Sequence, residues 1–295
     1  MTDNVFIGEV IASVDESTNK KLTVNSQATV QPVALMRLDV FVPSSRPGKG
    51  LKSSIDASQV LSNLEFAKRE GYDRVKITGE RLSMGVDFKV WIGIIHAFST
   101  HGKSSNTIKL SFKEFASMCG FDSKRFDKRL RETFLNSLTR IRGKTITFTR
   151  NEDTSGATVT GLLKTADFDT RKGKDEITLE ADPRLWELYA SDYQVLLRHR
   201  PINALSRQEA AQALYTFIES LPSNPAPVSF SRIKNRLSLL SPQFEQNRII
   251  RQALAKLKEI NYLDYTIVDK KTRTGKKEPH VMIHSRNPSL KDLPA

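Results

Sequence analysis

The sequence predicts an α+β protein built from two tandem winged helix-turn-helix domains. Two observations carry that prediction. The order helix, strand, short helix, turn, long helix, β-hairpin occurs twice along the chain, and each long helix has one apolar and one basic face. Residues 1–51 read as an N-terminal arm, residues 52–190 as the first winged-helix domain and residues 191–295 as the second.

Within the arm, residues 21–24 and 33–42 are strand-like and lead into the loop Pro43-Ser-Ser-Arg-Pro-Gly-Lys-Gly50. Asp56 is placed to cap a helix carrying Val60, Leu61, Leu64 and Ala67, with Gly71 as its stop. Residues 74–78 alternate like a strand. Residues 87–101 form a helix with Val90, Ile94, Ile95 and Phe98 inward and Gly102 at its end. Residues 107–111 alternate again, residues 112–119 make a short helix broken by Gly120, and Ser123 caps a longer helix to about Ile141. Residues 144–150, 157–164 and 176–180 are β-prone and separated by polar turns.

Residues 183–200 read as a connecting helix, with Pro201 near the boundary. Ser206 caps a helix whose stripe is Leu214, Phe217, Ile218 and Leu221. A short β segment at 228–230, a short helix at 230–240, the Ser241-Pro242 turn and a long helix at 243–260 follow. Residues 262–268 and 280–284 are then wing strands around the basic loop 270–277.

Composition narrows the function. The 295 residues hold 46 Lys and Arg against 33 Asp and Glu, a net charge of +13, which calls for a polyanionic partner. A hydrophobic fraction of 38% excludes a wholly disordered chain. No apolar stretch approaches the ~20 residues that span a bilayer, so a membrane partner is not expected. The first residues lack a basic start and a long apolar run, so they do not read as a signal peptide. Cys119 is the only cysteine, which rules out an intrachain disulfide, disfavours a cysteine-based zinc site and points to a reducing cytoplasm. Double-stranded DNA is the partner these features describe.

In the second long helix Ile250, Ala253, Leu254 and Leu257 share one face, while Arg248 and Gln252 lie opposite, flanked by Arg251. Arg pairs bidentately with guanine and Gln with adenine, so this face suits base readout. The first long helix turns Phe126, Leu130, Phe134 and Ile141 inward and Lys124, Arg125, Lys128 and Arg129 outward, a set suited to phosphates. Lys270, Lys271, Arg273, Lys276 and Lys277 would make a basic wing, without aromatics for stacking on single strands.

No catalytic constellation emerges, and no metal or cofactor is expected. Arg142-Gly-Lys-Thr145 ends like a phosphate-binding loop, but Leu138 stands where its first glycine belongs. His280 and His284 lie four apart on an extended segment, which does not bring two imidazoles to one ion. The His-hydrophobic-His pair of nicking enzymes is missing. A non-enzymatic protein is expected.

The residues also resemble a known family. Leu22-Thr-Val-Asn25, Val30-Gln-Pro-Val-Ala-Leu-Met-Arg-Leu38 and Phe41-Val-Pro43 are similar to the N-terminal signature of RepA-type plasmid replication initiators. Asp87-Phe-Lys-Val-Trp-Ile-Gly93, Leu110-Ser-Phe-Lys-Glu-Phe115, Cys119-Gly-Phe121, Ser123-Lys-Arg125 and Gly161-Leu-Leu-Lys164 extend the resemblance. Leu185-Trp-Glu-Leu188, Glu209-Ala-Ala-Gln212, Tyr215-Thr-Phe-Ile-Glu-Ser-Leu-Pro222, Glu245-Gln-Asn-Arg-Ile-Ile250 and His284-Ser-Arg-Asn-Pro288 carry it to residue 290.

The resemblance implies an initiator that binds directly repeated origin sequences, called iterons, as a monomer. It implies help in opening the origin and recruitment of the host initiator and replicative helicase. Dimers would repress the protein's own gene at an inverted operator, and chaperones would shift dimer to monomer. By the same resemblance Asn247, Arg248 and Arg251 read bases, and the N-terminal domain adds DNA contacts and the dimer interface. The alternative is a dedicated transcriptional repressor with the same folds.

Overall fold

The computed structural model describes residues 8, 11, 14–15, 20–44, 54–56, 58, 71–122, 126–150, 156–169, 171, 174–182, 189, 193–271 and 275–291. Val14–Asp15 (β1) and Lys20–Lys21 (β2) pair as a small hairpin. Ala28–Pro32 (β3) is buried along its whole length. Val33–Arg37 (α1) is a short helix rather than part of a strand over 33–42, with Val33, Ala34, Leu35 and Met36 buried. Phe41–Val42 (β4) is buried too. These residues are core, not a free arm. An apolar run buried on every side shows no period, so helix and strand look alike in it; Ala-Leu-Met-Arg are good helix formers and settle the matter locally.

Polar groups in this buried segment are satisfied. The Gln31 side chain, fully buried, accepts from Trp91 Nε1 at 3.0 Å and from the Tyr189 hydroxyl at 3.1 Å, and donates to Thr29 Oγ1 at 2.9 Å. An unmade bond there would cost about 1–3 kcal/mol, so the network specifies how the segment seats.

Ser54–Asp56 (β5) comes next, and the Asp56 carboxylate accepts from the Ser58 amide at 2.9 Å. Of the helix expected after Asp56, the stretch with Val60, Leu61, Leu64 and Ala67 lies outside the described residues. Arg74–Thr78 (β6) and Leu82–Ser83 (β7) lead to Asp87–His101 (α2), which buries Val90, Ile94, Ile95 and Phe98 as the spacing requires. Then come Thr107–Leu110 (β8), Phe112–Met118 (α3), Lys128–Arg142 (α4), Thr145–Arg150 (β9), Gly156–Gly161 (β10), Thr165–Asp169 (β11) and Glu176–Glu180 (β12). Where the sequence suggests one hairpin after the long helix, the structure has two. The β9–β10 hairpin joins β6 and β5 in the sheet order β10-β9-β6-β5. The wing is β11–β12, whose second strand pairs with β8. Register there sets Ile177 against Leu110 and Leu179 against Ile108, so the apolar sides coincide.

Gln194–Arg198 (β13) is a strand where a connecting helix over 183–200 was expected. It pairs antiparallel with β3, from Gln194 opposite Pro32 to Arg198 opposite Ala28. A partner so far away in sequence leaves no local trace. His199–Ala204 (α5) follows, and Glu209–Glu219 (α6) starts three residues after Ser206, which therefore is not its cap; Arg207 at φ 64° turns the chain between them.

Val228–Ser229 (β14), Phe230–Leu237 (α7), Gln243–Glu259 (α8), Leu263–Lys271 (β15) and Lys277–Arg286 (β16) complete the second unit. Its sheet order is β14-β16-β15, and the first unit's is β8-β12-β11. In both, the strand before the short helix pairs with the last wing strand. The chain is α+β with two tandem winged helix-turn-helix units of one topology.

Candidate nucleic-acid interface

In the second unit, Ser229 caps α7 by accepting from the Arg232 amide at 3.2 Å. Ser238 ends it in the left-handed region at φ 48°, and the Gln246 amide closes the turn by donating to Leu239 O at 3.1 Å and Ser241 O at 2.7 Å. Helix α8 then buries Ile250, Ala253, Leu254 and Leu257. Tyr262 holds its far end: the hydroxyl donates to Glu219 at 2.6 Å, and the ring stands edge-on to Tyr215 at 4.9 Å.

Arg248, Arg251 and Gln252 are exposed on the opposite side. Arg248 forks onto Glu245, with Nε to Oε2 at 2.8 Å and Nη2 closer still to Oε1. That bond holds the Glu245 carboxyl below its ordinary pKa. An exposed pair of this kind is worth little, so Arg248 can exchange its partner for a base edge. The Arg251 guanidinium lies 5.4 Å from the Phe230 ring centre. Asn247 differs from the other three. It is half-buried, and its Oδ1 is buried without a donor among the described residues. Its place at i−3 and i−7 from Ile250 and Leu254 puts it on the flank of the apolar face.

The wing strands run further than expected, so Lys270 sits opposite Glu278 and Lys271 opposite Lys277 at the hairpin's tip. Lys270, Lys271, Lys276 and Lys277 are exposed, and Gly275 turns the loop at φ 78°. Arg273 lies outside the described residues.

A polar node in the body fixes the helix-turn-helix. Arg236 on α7 is 3% exposed; its Nε donates to Met36 O at 2.6 Å, Nη1 to Phe41 O at 2.9 Å and Nη2 to Thr216 Oγ1 at 3.3 Å. Burial pulls its pKa down to about 10, against the attraction of Asp39. Burial also raises the Asp39 carboxyl above its ordinary value, against the pull of Arg236. Arg81 Nη2 donates to Ser238 O at 2.7 Å and to its Oγ at 2.6 Å, clasping the turn itself. Lys144, 2% exposed, donates to Glu80 O at 2.6 Å and Gly79 O at 3.3 Å, and burial lowers its pKa to about 8.

In the first unit, α4 begins at Lys128 and its cap is Asp127, which accepts from the Leu130 amide at 2.8 Å. The expected Ser123 cap is thereby corrected: Asp127 also fits the capping pattern, and Phe126 precedes the helix, packing edge-on against Phe112 at 5.9 Å. Lys124 and Arg125 lie outside the described residues. Lys128 is 91% exposed and stands 3.9 Å from Glu132; Arg129 is exposed beside it. Phe134 seats the helix, with Phe112, Phe115 and Phe121 edge-on around it at 5.2–5.5 Å. Buried Asp87 anchors its C-terminal half, accepting from Ser137 at 2.6 Å and Arg140 at 2.7 Å.

The wing of this unit carries cations that the sequence pattern did not single out. Arg171 forks onto Asp169 at 2.9 and 2.8 Å, and Lys174 lies 3.3 Å from the same carboxylate, which they hold well below its ordinary pKa. The signal was the alternation Ala166, Phe168 and Ile177, Leu179 about a basic turn. Among the described residues no group of three or more His, Cys, Asp or Glu could hold a metal ion, and no helix is long and apolar enough to cross a membrane.

Two winged-helix units, each with a basic long helix and a basic wing, define a protein of the nucleic-acid-binding class. Residues 60–219 match the family described as "Initiator Replication protein, WH1". The chain is 57% identical to Replication protein RepA of Escherichia coli over 286 residues, 97% of this chain and 98% of that one. It is 51% identical to a second Escherichia coli protein, Protein RepA, over 98% of both chains. The solved structure of domains 2 and 3 of RctB overlaps 82% of this chain and 94% of that one, at 12% identity and a TM-score of 0.49, below the level that establishes a shared fold. The chain belongs to the RepA family of plasmid replication initiators.

Proposed function

We propose that this chain starts plasmid replication by binding duplex DNA at the direct repeats of its origin, without catalysing a reaction. The observation that carries the reading is the repeated winged helix, each copy presenting cations from a long helix and a wing. Residues 191–295 are the reader, through Arg248, Arg251 and Gln252, with Asn247 at the edge of that face. Residues 52–190 are the clamp, with Lys124, Arg125, Lys128 and Arg129 on phosphates; Arg171 and Lys174 extend that set. Lys270, Lys271, Arg273, Lys276 and Lys277 track the backbone beside the reader helix. In this reading the monomer occupies iterons and brings in the host initiator and replicative helicase, in the cytoplasm. The dimer represses the protein's own gene, and chaperones shift dimer to monomer.

Footprinting on the DNA flanking the gene, with protein size measured in the same preparation, tests this. Protection of serial direct repeats at about helical-turn spacing is expected. Protection of an inverted operator alone would make the protein a dedicated repressor, and a covalent DNA–tyrosine adduct would make it a nicking enzyme.

A further inference from the structure

Six large hydrophobic side chains are substantially exposed among the described residues, and Phe244 is the most exposed of them at 74%. A lone apolar residue on a surface needs no explanation; its position here does. Phe244 is the second residue of α8. At 100° per residue it shares a stripe with Arg248 and Arg251, at i+4 and i+7, opposite buried Ile250, Ala253, Leu254 and Leu257. The N-terminal residues of a recognition helix are those that reach base edges. Arg248 is drawn onto Glu245, so its guanidinium is not spent on the ring. Leu240, 46% exposed in the turn just before, extends the apolar tip.

We propose that Phe244 is a specificity-determining residue that reads the 5-methyl group of a thymine in the major groove. The proposal rests on the reading of α8 as the recognition helix. An aromatic ring ahead of two arginines suits a duplex occupant: the cations face phosphate and guanine, and the ring meets the one apolar group that a base edge offers there. A protein partner on the same patch would have to cover Arg251 as well, and desolvating it without an anion is costly.

The test uses the full chain and a duplex carrying its own repeats, with each thymine replaced in turn by deoxyuridine. That change removes one methyl and leaves every hydrogen-bonding group in place. Wild-type affinity should fall about fourfold at one or two positions, the value of one buried methyl. Phe244→Ala should bind both duplexes equally and more weakly than wild type, while Phe244→Leu should keep the discrimination. Wild-type protein that selects its repeats yet ignores every deoxyuridine overturns the proposal and leaves the DNA-reading function standing. The proposal falls in the same way if Phe244→Ala discriminates as wild type does, or changes only the oligomeric state. Wild-type protein that does not prefer its repeats over random duplex overturns both.

Discussion

Replacing Arg236 with Met tests whether the node beneath the second helix-turn-helix holds that unit to the buried N-terminal segment. The side chain is nearly inaccessible and donates to two main-chain carbonyls, Met36 O at 2.6 Å and Phe41 O at 2.9 Å. Met fills similar space but donates nothing. Each orphaned carbonyl costs about 1–3 kcal/mol, and Asp39 loses an attracting charge while it stays 8% exposed. Removing the buried guanidinium also lifts its desolvation penalty, which offsets part of the loss. The net expectation is a destabilisation of about 3 kcal/mol, near the low end of what breaking a buried charge pair costs. Urea unfolding followed by far-UV circular dichroism should show the midpoint falling with little change in slope. Arg236→Lys keeps the charge but loses the fork, so it should fall between. Arg236→Met unfolding within about 0.5 kcal/mol of wild type would refute the reasoning, because two buried carbonyls cannot lose their donors that cheaply.

Other expectations follow from the same contacts. Lys144 titrates at about 8 when folded, below its ordinary 10.5. Between those values the unfolded chain holds a proton that the folded one has released, so this group's contribution rises with pH from about 8 to 10.5 and is lost as pH falls back. Lys144→Met should lose that rise, so the stability difference between wild type and variant should shift in favour of wild type as pH climbs through the window. Arg248→Ala should cost roughly 1–3 kcal/mol at one base pair and relax preference there. Lys128→Ala should instead weaken all sequences alike and reduce the salt slope by about 0.9, read by titration at several salt concentrations. Asp127→Ala should destabilise the start of α4 by about 0.5–2 kcal/mol, seen as faster amide exchange at Leu130.

The parts of the fold legible in the sequence are those with one buried face. Helix α2 and the 243–259 helix follow their apolar stripes to within a residue of where the spacing puts them. Arg248, Arg251 and Gln252 are exposed because 100° per residue leaves them opposite Leu254 and Leu257. What stayed hidden depends on distant partners. Strand β3 is buried throughout and pairs with β13 far downstream, so neither carries alternation. Arg81 reads as an ordinary loop cation until Ser238 is brought to it from 157 residues away. The first wing was hidden for a different reason: three β-prone segments after the long helix read as one hairpin, and only the pairing of β12 with β8 shows which strands form the wing.

The contact between Arg236 and Met36 O spans 200 residues. A ribosome adding about 5–20 residues per second needs roughly 10–40 s to cover that interval. For most of it Val30, Leu35 and Met36, fully buried in the finished protein, wait for β13, made only at residues 194–198, and α7 is made only at its end. Translation speed between codons 36 and 236 therefore sets how long an adhesive segment waits uncovered, and slowing the ribosome there lengthens the demand on any holding factor in the cell.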